Sequence, residues 1–71
     1  MNTVIHSFTH QVQFGNIAYD AIKTSENEYI LFANYSKAGT ITDNGIAWIL
    51  HHSGKVQSKP YHKVIIIPFG S

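Results

Sequence analysis

Residues 40–50, TITDNGIAWIL, place a turn dipeptide between two short apolar segments. Asn44-Gly45 tolerates the positive φ angles of a type I′ turn, whose twist matches that of two flanking antiparallel strands. The segments on either side, residues 40–42 and 46–50, are rich in β-branched and aromatic side chains, which favour strands. This stretch therefore predicts a β-hairpin in the second half of the chain.

Two further strands are predicted before this hairpin. Residues 4–14 alternate between apolar and polar side chains, which predicts a half-buried strand with Phe8 and Val12 on its apolar face. Gly15-Asn16 is a turn signal. A weaker alternation over residues 17–24 predicts a second strand that returns alongside the first.

The C-terminal third predicts more strands and a sheet edge. Ser53-Gly54 indicates a turn, after which residues 56–59 return against the strand of residues 46–52. Pro60 cannot donate a ladder hydrogen bond, so it marks an edge or the start of a strand. Residues 64–67, VIII, are apolar on both faces, which predicts a strand that is covered on both sides.

Residues 25–37 fit either a strand or a helix. Ser25-x-x-Glu28 is the polar tip of a hairpin, or alternatively a capping box that precedes the apolar residues 29–33. Tyr, Ile, Phe and Asn are poor helix formers, which favours the strand. The predicted fold is therefore all-β, a small antiparallel sheet or barrel of five to six short strands, and the alternative is α+β with one helix near residues 25–37.

The size of the chain predicts a single small domain that associates with itself. The chain has 71 residues, of which 44% are hydrophobic and 13% charged, which is too apolar for disorder. A chain of this length buries about 60% of its surface, and that gain roughly equals the cost of ordering the chain. With no cysteine to form a disulfide, residues 1–71 are expected to form one domain in a homo-oligomer, with residues 64–67 at the contact.

Several classes of protein are disfavoured by sequence features that the chain lacks. The longest apolar runs, such as residues 64–69, are far shorter than the ~20 residues that span a bilayer. Residues 1–7 have neither the cationic start nor the apolar segment of a signal peptide. We therefore expect a cytoplasmic protein that does not enter a membrane.

Metal and catalytic sites are not expected. In a strand His6 and His10 are ~13 Å apart, too far to bind one zinc ion together, and the adjacent His51 and His52 face opposite ways. The chain has no cysteine and no HExxH, phosphate-loop or nucleophile-elbow motif. The sequence predicts a protein that is not an enzyme and that holds neither metal nor cofactor.

The candidate binding residues are concentrated in a basic stretch near the C-terminus. Residues 51–71 contain three lysines and no acidic residue, while the whole chain has a net charge of only +1 and no arginine. Lysines that neutralise phosphates beside aromatics that stack on bases would suit nucleic acid, but the missing arginine weakens that interpretation. The predicted site residues are Trp48, His52, Lys55, Lys59, Tyr61 and Lys63.

The function predicted from these features is binding without catalysis. Nine aromatic residues in 71 supply rigid contact area of the kind that dominates protein interfaces. Small chains without cysteines or catalytic motifs are also in the style of phage and mobile-element proteins that block a host system by binding. We predict an oligomeric inhibitor or sequestering factor for a protein or a small anionic ligand; the alternative is a nucleic-acid-binding β-barrel that uses residues 51–63.

Overall fold

The computed structural model describes residues 8–69, which form one curled antiparallel sheet of seven strands, shaped as a half-barrel. The strands follow one another as hairpins from β1 to β6, and β7 then pairs with β1 at the other side of the sheet. The spatial order is β6-β5-β4-β3-β2-β1-β7, so β6 and β7 are the two edges. The elements are β1 His10–Phe14, β2 Ile17–Ser25, β3 Glu28–Ala33, β4 Ser36–Asp43, β5 Ala47–His52, β6 Lys55–Pro60, a 3-10 turn Tyr61–Lys63 and β7 Val64–Pro68.

The core lies on the inner face of this sheet, where every second side chain of a strand points. Val12, Leu31 and Ile41 are fully buried, and they come from β1, β3 and β4. Residues directly opposite each other on paired strands share a face of the sheet. Ala21 of β2 lies opposite Leu31 of β3, so both side chains point into the core. The core is completed by Phe14, Ala21, Tyr29, Leu50 and Val64, with Tyr19, Trp48 and Ile66 packed against it.

The all-β prediction is confirmed, but the number of strands is seven rather than five to six. The alternative of a helix near residues 25–37 is wrong, since that segment contains the end of β2, all of β3 and the start of β4. A turn at Asn34-Tyr35 separates β3 from β4, and both residues have positive φ, 53° and 66°. Asn34 tolerates a positive φ but tyrosine rarely adopts one, and no glycine or proline marks the position, so no turn was predicted there.

The first predicted strand is shorter than expected. β1 begins at His10, and the predicted strand residues 4–7 lie outside the described part of the chain. Phe8 precedes the strand and packs against Phe32, with ring centroids 5.3 Å apart. Phe32 follows the buried Leu31 in β3 and therefore faces the outer side, so the prediction that Phe8 shares the face of Val12 is wrong.

The hairpin of residues 40–50 is confirmed, but its turn is not the predicted two-residue type I′ turn. Asp43 pairs with Trp48, which leaves a four-residue connection, and in it only Gly45 has a positive φ, 93°. The Asn44 side chain holds this connection, because its Oδ1 accepts hydrogen bonds from the backbone N–H groups of Ile46 at 2.9 Å and Ala47 at 2.8 Å. The Ser53-Gly54 turn, in contrast, has two positive φ angles, as a type I′ turn requires.

The predicted C-terminal strands are present in the sheet, but residues 64–67 are not covered on both faces. β6 pairs with β5, from His52 opposite Lys55 to Ala47 opposite Pro60, and Pro60 ends this edge strand. The residues that were predicted to form a strand with two apolar faces lie in β7, the opposite edge. Val64 on its inner face is buried, while Ile65 and Ile67 on its outer face remain half exposed.

Candidate functional site

The six residues predicted as a site lie on β5, β6 and the 3-10 turn that follows, and they divide into two groups. His52 lies opposite Lys55 at the tip of the β5–β6 hairpin, and Trp48 lies opposite Lys59 four residues further along. Four residues of strand correspond to about 13 Å. Tyr61 and Lys63 belong to the turn beyond Lys59. The sequence therefore predicted one surface where the structure has two.

A series of aromatic rings runs from the core to the surface at the group that contains Trp48 and Tyr61. Successive ring centroids are 5.2 Å apart for His10 and Tyr29, 5.7 Å for Tyr29 and Trp48, and 6.4 Å for Trp48 and Tyr61, and each pair meets edge to face. Edge-to-face contacts of this kind stabilise a fixed ring orientation. Tyr29 is buried, whereas Tyr61 is 43% exposed. We name these four residues the aromatic series; its outer end is a rigid aromatic surface.

The outer ring of the aromatic series is held by a short hydrogen bond. The Tyr61 hydroxyl donates to Oδ1 of Asp43 at 2.6 Å, and the backbone N–H of Gly45 donates to the same oxygen at 2.8 Å. These hydrogen bonds lower the pKa of Asp43, with that of Tyr61 the larger cause. The same bond to Asp43 raises the pKa of Tyr61. At neutral pH an ionised carboxylate therefore accepts from a protonated phenol, which fixes the ring.

The two lysines near the aromatic series have different surroundings. The Nζ of Lys59 lies 5.6 Å from the centre of the Phe14 ring, within range of a cation–π contact. The side chain also passes over Gly15, where an added Cβ would lie only 2.8 Å from the Cε of Lys59. Lys59 is thus held against the turn between β1 and β2. Lys63 is exposed, and its backbone carbonyl accepts a hydrogen bond from Gly15 at 3.1 Å.

The second group lines a cleft of about 460 Å³ at the β5–β6 tip, which we name the hairpin cleft. Sequence reasoning identified His52 and Lys55 here but missed Lys37, which β4 contributes to the opposite wall. No local pattern reveals Lys37; only the β4–β5 register brings it close. The hairpin cleft is lined by Lys37, Ala38, Gly39, Thr40, His51, His52, Ser53, Gly54, Lys55 and Val56.

A second cleft, of about 350 Å³, opens on the inner face between the β1–β2 turn and β6. It is lined by Phe14, Asn16, Ile17, Tyr19, Leu50, His52, Gln57 and Lys59. The apolar and aromatic part of this lining continues the core. Its lining contains one lysine, Lys59, which already crosses Gly15 and approaches Phe14, whereas the lining of the hairpin cleft contains two.

The histidines are dispersed over the sheet. His10 belongs to the aromatic series, and His51 Nε2 lies 3.5 Å from the Thr42 hydroxyl on the outer face. Within residues 8–69, no three side chains of His, Asp or Glu are grouped closely enough to hold a metal ion. The same residues include no helix with the length and hydrophobicity that a membrane span requires.

Comparison with known proteins gives no relative: no family model, no curated protein and no solved structure matches this chain. The function is therefore argued from the two groups of residues described above.

Proposed function

We propose that this protein is a non-enzymatic cytoplasmic binding protein that associates with itself and inhibits or sequesters a partner protein. Its contact surface is the exposed end of the aromatic series, Trp48 and Tyr61, with Lys59 and Lys63 at the rim. A phage or mobile-element inhibitor would act in this way. The observation that carries the proposal is the ordered, exposed Tyr61 ring at the end of three further packed rings.

A ring whose conformation is already fixed in the free protein is a good anchor for a partner. A flexible side chain loses about 0.5–1.5 kcal/mol of rotamer freedom when a partner immobilises it. The Tyr61 ring is already held by Trp48 at one side and by the hydrogen bond to Asp43 at its hydroxyl. Much of that loss is therefore incurred on folding, and contact with an apolar pocket of the partner adds directly to affinity.

The charges around this surface indicate the character of the partner. Lys63 is exposed in the same 3-10 turn as Tyr61, and no carboxylate of the described chain forms an ion pair with it. Rim charges of this kind chiefly accelerate association with an oppositely charged surface. The partner that fits is a protein with an apolar pocket and an acidic rim.

Self-association is proposed through the outer edge of β7. Ile65, Ile67 and Phe69 are 49%, 50% and 45% exposed, and they share one face of a strand whose outer edge is unpaired. The other edge strand, β6, carries two lysines and a terminal proline, devices that prevent edge pairing. β7 has no charged residue. Antiparallel pairing of β7 with β7 of a second copy about a two-fold axis would satisfy the backbone groups of the exposed edge and bring the exposed isoleucines of the two copies side by side.

The experiment is affinity capture from a host-cell lysate, followed by measurement of binding kinetics with the retained protein. Tyr61→Ala removes the anchor ring, while Tyr61→Phe keeps the ring and removes only the hydroxyl. We expect Tyr61→Ala to raise the dissociation rate at least 30-fold, since a central aromatic anchor contributes ~2 kcal/mol or more. Tyr35→Ala is the matched control, because Tyr35 is 73% exposed at a distant turn.

Three results would contradict the proposal. Equal effects of Tyr61→Ala and Tyr35→Ala would show that the aromatic series is not the contact surface. Unchanged retention in both variants would do the same. Capture that disappears after nuclease treatment, together with oligonucleotide binding that weakens with a log–log salt slope of about −3 or steeper, would favour the nucleic-acid alternative.

A further inference from the structure

The hairpin cleft exists because two neighbouring strands separate. The ladder between β4 and β5 begins with Asp43 opposite Trp48 and ends with Thr40 opposite His51. Beyond that point β4 continues with residues 36–39, which pair only with β3, while β5 continues into the β5–β6 hairpin. The two walls of the cleft are therefore parts of regular strands, each held by a partner on its other side.

Positive charge is concentrated in this cleft. Its lining includes Lys37, Lys55, His51 and His52 and contains no carboxylate. The register places Lys55 and His52 on the inner face of the sheet and Lys37 and His51 on the outer face, so the cleft is flanked by these side chains from both faces. No described acid forms an ion pair with either lysine. The cleft of about 460 Å³ therefore has one lysine and one histidine at each face.

The acidic residues lie elsewhere on the sheet. Asp43 is at the far end of β4, about 20 Å from Lys37 at 3.3 Å per residue. Glu28 pairs with Thr42 at that same far end, whereas Asp20 and Lys37 both lie opposite Phe32, about 10 Å apart across the width of β3. No carboxylate therefore belongs to the lining of the cleft, although Asp20 lies two strands away in the same row as Lys37.

The tip of the hairpin adds neutral donors to these charges. Ser53 and Gly54 line the cleft, and their φ angles of 52° and 78° place them in a turn whose central N–H groups take no part in the β5–β6 ladder. The Ser53 hydroxyl is a further donor. Lysine point charges combined with backbone and hydroxyl donors are a combination that binds phosphate oxygens.

We propose that the hairpin cleft binds a small molecule that carries a di- or triphosphate group. The charge of such a group matches two lysines, and the volume of the cleft lies within the range of small-molecule sites. A nucleic-acid strand fits less well, because the lining contains no Phe, Tyr or Trp ring on which a base could stack. This site is separate from the surface of Trp48 and Tyr61, so its test is independent of the proposed partner protein.

The experiment is titration of the full chain with inorganic tripolyphosphate at low and physiological salt, by calorimetry and by amide NMR. We expect saturable binding with one ligand per chain and the largest amide shifts at Gly39, Ser53 and Gly54. Lys55→Glu is expected to weaken binding at least 10-fold, and Lys37→Ala at least 3-fold. Lys23→Glu is the matched control, because it makes the same charge change on β2, outside the cleft.

The outcomes distinguish specific binding at the hairpin cleft from attraction of the anion by net positive charge. Equal losses for Lys55→Glu and Lys23→Glu would overturn the proposal, since only net charge would then matter. Absence of binding at 1 mM tripolyphosphate in low salt would overturn it too. A single-stranded oligonucleotide that binds more tightly than tripolyphosphate and displaces it would assign the cleft to nucleic acid instead.

Discussion

Gly39 is the position where the packing of β4 against β5 is most sensitive to an added atom. A Cβ built there lies 2.6 Å from the carbonyl oxygen of His51 and 3.3 Å from Cδ1 of Leu50. A relaxed carbon–oxygen contact is about 3.3–3.6 Å, so the oxygen would have to move by roughly 0.7 Å. His51 is fixed by the last rung of the β4–β5 ladder, opposite Thr40. Gly39→Ala therefore strains both the ladder and the core.

The expected loss of stability follows from two opposing terms. Overpacking of this kind costs about 1–3 kcal/mol, and the smaller conformational freedom of alanine in the unfolded chain returns about 0.4–1 kcal/mol. A net loss of about 1.3 kcal/mol lowers the melting temperature of a domain this size by about 5–10 °C.

Thermal unfolding of Gly39→Ala beside Gly45→Ala tests this reasoning. A Cβ on Gly45 meets no atom within 4 Å, but its φ is +93°, so alanine there is strained by its backbone alone. We expect only Gly39→Ala to shift the amide signals of Leu50 and His51. A Gly39→Ala protein that melts at or above the wild-type temperature would refute the argument.

Three other predictions use residues of the sheet edge, the aromatic series and one turn. Ile67→Lys should leave a monomer of about 8.0 kDa in light scattering, where the native chain and the exposed-turn control Ile46→Lys form the larger species; a native monomer would contradict proposed pairing through β7. Tyr61→Phe should raise the NMR-measured pKa of Asp43 toward its ordinary value, because the largest cause of its lowering is removed. Folding lowers the pKa of Asp43, so the ionised carboxylate stabilises the protein at pH values above the unfolded-state pKa. This stabilisation is lost as the pH falls through the folded-state pKa. The free energies of unfolding of the wild type and Tyr61→Phe should therefore converge in acid. Asn44→Ala should lower the free energy of unfolding by about 1–2 kcal/mol because two N–H groups lose their acceptor; an equal loss in Asn16→Ala, at another turn, would show that those bonds contribute nothing specific.

Much of the fold could be predicted because its signals are local. The alternation around Val12, the turn at Ser53-Gly54 and the edge position of Pro60 each depend on a few neighbouring residues. The strand count was underestimated because Asn34 is the sole usual turn residue at the turn between β3 and β4, and Tyr35 adopts a φ of 66° that its type rarely takes. The neighbouring strands decide that conformation, not the propensity of tyrosine.

The candidate site was predictable only where one hairpin forms it. The proximity of His52 and Lys55 follows from a two-residue turn between them. The aromatic series and the hairpin cleft combine several strands, so Tyr29 and Lys37 were missed as site residues. Which strands meet depends on the curl of the sheet, for which a single sequence has no periodic signal.

The pairing of β7 with β1 has a consequence for the order in which this sheet forms and opens. Every other strand pair joins neighbours in the chain, so those hairpins close over short loops within microseconds. The β1–β7 ladder joins Phe14 to Val64 and His10 to Pro68, and it must close a loop that contains nearly all of the described chain. We expect β7 to dock last during refolding and to exchange its amide hydrogens through a sub-global opening that leaves the β2–β5 meander intact. Such an opening would briefly expose the apolar strand β7 to other chains. Because this exposure favours aggregation, the refolding yield would fall as protein concentration rises.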